Sequence, residues 1–264
     1  MVGKRIAGTD FLRLVVKACF TNEWWRDAAE FLVRQGMMMV DLRRFFKLLN
    51  VAFTMLLLAC TMPEKVNDNT QLQQGTVAYE TGDYNEAFRL LQPLAEQGNA
   101  QAQSILGWLY ENGEGVTQDD KQALEWYQKA ANQGFAEAQY NLGNMYHDKD
   151  NEQAVFWYKK AAQQGDIGAQ FTLGWMYDTG LGVTRDEKQA VMWYQKAANQ
   201  GHAMSQYNLG WMYHQGRGTA IAQNFQQAKA WYQKVLVQPD TEENDEAKAL
   251  ARENLQKLES MGIR

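Results

Sequence analysis

Between residues 71 and 238 apolar side chains recur at spacings of three and four, stop at a short polar break, and start again. In residues 100–134, Ala102, Leu106, Leu109 and Tyr110 fall on one stripe, which predicts an amphipathic helix. Glu111-Asn112-Gly113-Glu114-Gly115-Val116 interrupts it. Two glycines one residue apart suit a helix C-cap followed by a tight turn, with Val116 folding back onto the interior. Ala123, Trp126, Tyr127 and Ala130 form a second stripe, ended by Gln133-Gly134 as Gln164-Gly165 and Gln200-Gly201 end later copies. Thr117 with Asp120, and Thr184 with Glu187, have the spacing of a capping box and predict the start of the second helix. Each unit is read as an antiparallel helix pair. Such a pair buries both stripes only when stacked on its neighbours.

The copies are recognisable by two signatures. Leu106-Gly107, Leu142-Gly143, Leu173-Gly174 and Leu209-Gly210 sit in the first helices, and Trp126-Tyr127, Trp157-Tyr158, Trp193-Tyr194 and Trp231-Tyr232 in the second. The glycines are 36, 31 and 36 residues apart. A period of this size predicts an all-α solenoid of antiparallel hairpins rather than one globular core. Glycine inside a helix costs about 1 kcal/mol relative to alanine, so its recurrence predicts close approach of the following helix. The unit around Gly143 lacks the Gly-x-Gly turn and runs Tyr146-His147-Asp148-Lys149-Asp150 into its second helix, which accounts for the short spacing. The last unit carries an insertion around Thr219-Ala220-Ile221-Ala222. A degenerate first unit runs from Ala78-Tyr79 to Gln97-Gly98, with Leu90-Leu91 in place of Trp-Tyr. The expected organisation is five repeats over 71–238 and, in 239–264, a C-terminal capping helix with Ala247, Leu250, Ala251, Leu255 and Leu258 on one stripe.

Charge divides the 264-residue chain. Residues 1–59 hold nine Lys or Arg against five Asp or Glu; the remainder holds seventeen against twenty-six. The acidic repeats argue against a nucleic-acid footprint and favour a basic or neutral partner. The two cysteines, Cys19 and Cys60, lie outside the repeats, so no disulfide staples them.

Arg43, Arg44 and Lys47 precede an apolar run from Leu48 to Ala59, too short for a membrane span of about 20 residues and suited to a secretory signal. Leu57-Leu58-Ala59-Cys60 resembles the lipobox of bacterial lipoproteins, in which the Cys becomes the lipidated first residue. That resemblance implies a signal peptide over 39–59, a polar linker over 60–70 and lipidation of Cys60. Thr61 after the cysteine leans toward the outer membrane, with the protein facing the periplasm of the bacterial envelope. Residues 1–38 fit neither element and are read as an extension or a misassigned start upstream of Met37-Met38-Met39.

The joint pattern Leu-Gly-x-x-Tyr, Gly-x-Gly-Val, Ala-x-x-Trp-Tyr, Lys-Ala-Ala, Gln-Gly resembles the Sel1-like repeat, a relative of the tetratricopeptide repeat. The resemblance implies a right-handed superhelix whose first helices line a concave groove for a protein or peptide partner. By the same resemblance the residues flanking each Leu-Gly pair, Ile105 and Trp108, Asn141 and Asn144, Thr172 and Trp175, Asn208 and Trp211, line that groove. Asn amides would hold a peptide backbone and Trp rings would supply contact area. The alternative for the tryptophans is packing between adjacent helices.

No catalytic constellation, metal site, cofactor site or nucleic-acid motif is found. His147, His202 and His214 fall in separate turns, and the Gly-x-Gly turns lack the preceding strand and following Lys-Ser/Thr of a phosphate loop. The expected function is a non-enzymatic, membrane-anchored interaction scaffold. A secreted enzyme of the β-lactamase or penicillin-binding type is the alternative, disfavoured because the repeats have no cysteine pairs and the chain no Ser-x-x-Lys. A cytosolic adaptor is the other alternative, if the apolar run is not a signal.

Overall fold

A computed structural model describes residues 68–216 and 222–263. The signal, the lipobox, Cys60 and most of the insertion near Thr219 lie outside these residues. The described chain forms eleven helices, with no strand among the described residues. They are α1 (Asp68–Glu80), α2 (Tyr84–Glu96), α3 (Ala100–Asn112), α4 (Asp120–Asn132), α5 (Ala136–Tyr146) and α6 (Asn151–Gln163). The series continues with α7 (Ile167–Thr179), α8 (Glu187–Asn199), α9 (Ala203–Gln215), α10 (Phe225–Leu236) and α11 (Glu242–Ser260). Each helix touches the next in order, so α1 to α10 stack as five hairpins; α11 lies against α10 and α9.

The recurrent glycine of each first helix receives the tyrosine of the second. A Cβ on Gly107 would lie 2.6 Å from the Tyr127 ring, and those on Gly143, Gly174 and Gly210 would be 2.6, 2.8 and 2.7 Å from Tyr158, Tyr194 and Tyr232. These four tyrosines are 0–1% exposed, and each burial contributes on the order of 2–3 kcal/mol. Their partner tryptophans are less uniform: Trp157 and Trp193 are buried, Trp126 and Trp231 half-buried. The lysine three residues on caps each indole, with Nζ 3.8 Å (Lys129), 4.9 Å (Lys160), 4.1 Å (Lys196) and 3.9 Å (Lys234) from the ring centroid. Gly75 of α1 meets Leu91 in the same way, so the degenerate unit keeps the contact with leucine in place of tyrosine.

The expected threonine caps need correction. The N-cap of α4 is Asp119, whose carboxylate accepts from Lys121 and Gln122 N–H, and that of α8 is Asp186, accepting from Lys188 and Gln189. Thr117 and Thr184 stand outside the helices and are exposed. An ionised carboxylate at the N-terminus also meets the positive end of the helix dipole, which a threonine hydroxyl does not match. The Gly-x-Gly turns have a structural origin. Gly113 (φ 70°) is the left-handed C-cap of α3, and at Gly115 (φ 68°) a Cβ would collide with the backbone carbonyl of Tyr84 in the preceding hairpin. In the short unit Asp148 adopts φ 66° and the chain enters α6 at once, capped by Asp150.

A polar seam runs through the stack where sequence reading registered only helix ends. Gln103 donates to Ala95 O of the previous hairpin at 2.9 Å and accepts from Gln133 at 2.7 Å. Gln139 does the same with Ala131 O (3.1 Å) and Gln164 (2.8 Å), and Gln170 with Ala162 O (3.1 Å) and Gln200 (2.8 Å). Gln206 repeats it with Ala198 O (3.1 Å) and Gln238 (3.2 Å). One buried amide thus adds a second donor to a helix-terminal carbonyl that already accepts the N–H of the glycine three residues on, at 3.0–3.2 Å. The same amide joins its own second helix to the one before.

Candidate partner-binding face

The first helices α3, α5, α7 and α9 place the eight groove candidates two residues before and one residue after their glycine, at equivalent positions in four consecutive repeats. Their environments differ. Ile105 is 5% exposed and belongs to the core with Leu106 and Leu109, so it lines no open surface. An apolar side chain there completes the contact between the first and second hairpins, where the other units carry Asn or Thr. Trp108 is half-buried, edge-on to Tyr79 with centroids 5.0 Å apart and 5.4 Å from Tyr84. It is packed against the previous hairpin, as is Trp211 against a cluster containing Leu209 and Met212. Trp175 is 37% exposed, and its ring lies 5.9 Å from that of His147 one repeat earlier. Asn144 is exposed and accepts the Tyr158 hydroxyl at 2.7 Å; Asn141, Thr172 and Asn208 are half-buried.

The same register continues into the first hairpin, where the sequence reading stopped. Gln73 and Thr76 stand two before and one after Gly75, and they line an open recess of about 690 Å³ with Asn69, Glu80 and Gln101. The signal was present: Gln71 precedes Gly75 by four residues, as Gln103, Gln139, Gln170 and Gln206 precede their glycines.

Charge is partitioned between the two helix rows. The five first helices carry Asp68, Glu80, Glu111, Glu137 and Asp178 and not one Lys or Arg. The five second helices carry nine Lys or Arg against six carboxylates. Glu111 and Glu137 share one neighbourhood, since both act on Tyr127. Burial, then the negative charge of Asp166, raises the Glu137 carboxyl above the usual carboxylate range, although its side chain still meets solvent. Burial likewise raises Asp166, against the opposing N–H groups of Ala169 and Gly168. The Tyr127 hydroxyl donates to Glu111 at 2.7 Å, and its pKa is pushed up by burial, then by that bond and the charges of Glu111 and Glu137. Glu137 also raises Tyr79 of α1, after burial. Among the described residues no group of three or more His, Cys, Asp or Glu is placed to hold a metal ion.

Stacked helical hairpins with a recurrent tyrosine-on-glycine contact and a continuous first-helix row define an α-solenoid repeat protein. The Sel1 repeat model matches residues 72–99, 100–135, 136–166, 167–202 and 203–234, and the chain belongs to the Sel1 repeat family. A protective antigen of uropathogenic Escherichia coli strains with an SLR fold is 37% identical, over 75% of this chain and 42% of its own, with a TM-score of 0.65. A Sel1 repeat protein from Oxalobacter formigenes is 30% identical over 71% of this chain and 75% of its own, with a TM-score of 0.63. The ERAD-associated E3 ubiquitin-protein ligase component HRD3A of Arabidopsis thaliana is 29% identical over 85 residues. This chain spans 12% of that relative's length and less than half of the antigen's. Family members are often protein-interaction scaffolds.

Proposed function

We propose that this protein is a non-enzymatic scaffold that holds a protein or peptide partner along its first-helix row, and that a lipid on Cys60 anchors it to the bacterial envelope, facing the periplasm. The observation that carries the binding reading is the row itself. Equivalent positions present an exposed indole (Trp175) and an exposed amide (Asn144) in two adjacent repeats, and the first hairpin adds a recess lined largely by amides and hydroxyls. A repeating surface of this kind suits an extended ligand, whose backbone repeats in the same way. The order of basic residues, short apolar run, Ala59 and Cys60 supports the anchor, since an N-terminal acyl chain together with a diacylglycerol supplies the two lipid signals stable attachment requires.

Cross-linking in envelope extracts tests the binding reading. Partners recovered with the wild-type chain are expected to be lost from Trp175→Ala and Asn144→Ala variants whose helicity is unchanged, and unaltered recovery overturns it. Metabolic labelling with palmitate tests the anchor: label on the wild type and none on Cys60→Ser supports it, and equal labelling or none on both ends it.

A further inference from the structure

Resting on that groove reading, we propose that the occupant of the first-helix row is a cationic, extended peptide segment, its Lys and Arg side chains met by Glu80, Glu111 and Glu137 and one guanidinium laid on the face of Trp175. The argument is one of charge complementarity. Across five consecutive first helices the described residues offer carboxylates and no ammonium or guanidinium group. Nine cations belong to the second helices, and four of these lysines are held over the indoles of their own repeats, 3.8–4.9 Å from the ring centroids; Lys257 of α11 acts on Tyr207 and His214 of α9, away from Glu80, Glu111 and Glu137.

Like charge also crowds Glu137. The charge of Asp166, the N-cap of α7, bears on Glu137 from the adjacent hairpin, and the charge of Glu137 reaches Tyr79 two hairpins back. A cation seated between them relieves that repulsion. An anionic segment adds to it, and a neutral one leaves it in place. The recess of the first hairpin has a volume within the range of ordinary ligand sites, about 300–1,000 Å³, and joins Glu80 to the amides of Asn69, Gln73 and Gln101. That set receives a lysine or arginine head together with the backbone that carries it. Arginine gains further from Trp175, whose exposed ring is a cation–π platform.

Fluorescence anisotropy on the full chain tests this with three labelled nine-residue peptides of equal length and apolar content, one Arg/Lys-rich, one neutral and one Glu-rich. The cationic peptide is expected to bind at least about tenfold more tightly than the other two, weakening as salt shortens the Debye length below about 10 Å. The double variant Glu80→Gln, Glu137→Gln should weaken it by about fivefold, the scale expected from two partly exposed charge pairs. A Lys129→Gln, Lys196→Gln variant on the second helices should not weaken it. Three peptides binding alike, or cationic binding indifferent to the glutamate changes, overturns the charge proposal and leaves the groove standing. If none of the peptides binds, both readings fall. If binding is lost in the lysine variant instead, the partner lies on the second-helix row and the proposal is wrong.

Discussion

Replacing Gly107 by alanine sets two effects of opposite sign against each other. In an isolated helix the change is favourable by about 1 kcal/mol, because alanine loses less backbone entropy on folding. In this structure the new methyl carbon would lie 2.6, 2.7 and 2.9 Å from three carbons of the Tyr127 ring, where ordinary contacts are about 3.5–4.0 Å. The ring cannot slide away cheaply. It is fully buried, and its hydroxyl is tied to Glu111 at 2.7 Å. Overpacking of this kind costs about 1–3 kcal/mol, and a roughly 1 Å displacement of an anchored ring belongs at the upper end. The net expectation is a loss of about 2 kcal/mol, or about 4–8 °C in Tm for a stack of this size. The internal control is Gly168→Ala. There the new carbon meets only the far edge of the half-buried Tyr140 ring, at 3.0–3.2 Å, and the two effects should cancel to within about 0.5 kcal/mol. Urea unfolding followed by circular dichroism at 222 nm measures both. A Gly107→Ala chain as stable as wild type, or more so, would refute the claim that ring clearance is why these glycines recur.

The glutamine seam makes a second prediction: Gln170→Leu removes the side-chain bond to Ala162 O, which keeps the Gly165 N–H, and the acceptor of Gln200, and should cost about 1–2 kcal/mol. Gln200→Ala should cost less, since the seam amide of Gln170 keeps its bond to Ala162 O. At the helix starts, Asp119→Ala is expected to lose about 1 kcal/mol and Thr117→Ala less than about 0.5, both by urea midpoint; the reverse order would restore Thr117 as the cap. The phenols of Tyr127, Tyr158 and Tyr232 all have pKa values raised by burial above their ordinary value of 10.0. The stability they confer is therefore complete below about pH 10 and lost as pH climbs through the folded-state values. A urea midpoint that falls between pH 9 and pH 11, and falls less in Tyr158→Phe, checks the sign.

The hairpins, their stripes and their partner helices were legible because large aromatics and glycine recur in phase, and few other arrangements explain an in-helix glycine. The Thr-x-x-acid spacing misled because Asp119 and Asp186, two residues later, offer a better acceptor; both signals lie within one turn, and pattern alone does not rank them. Ile105 was read by analogy with Asn141 and Asn208, but burial depends on the neighbouring hairpin, which repeat phase does not encode. The glutamines of the seam resemble ordinary polar helix residues. Only their shared offset of four from each glycine distinguishes them. Gln73 and Thr76 escaped notice because the first unit was recognised by its missing Trp-Tyr rather than by Gly75.

The turn between the two helices of a hairpin is four residues long at 147–150 and seven at 113–119, yet the glutamine seam is the same on either side of both. Length is free to drift at one margin of the molecule while the joints between modules stay fixed. Descendants of such a chain can therefore trim or pad a bend, or duplicate an entire module, without redesigning any neighbour, provided each new module carries its own amide to clasp the one before.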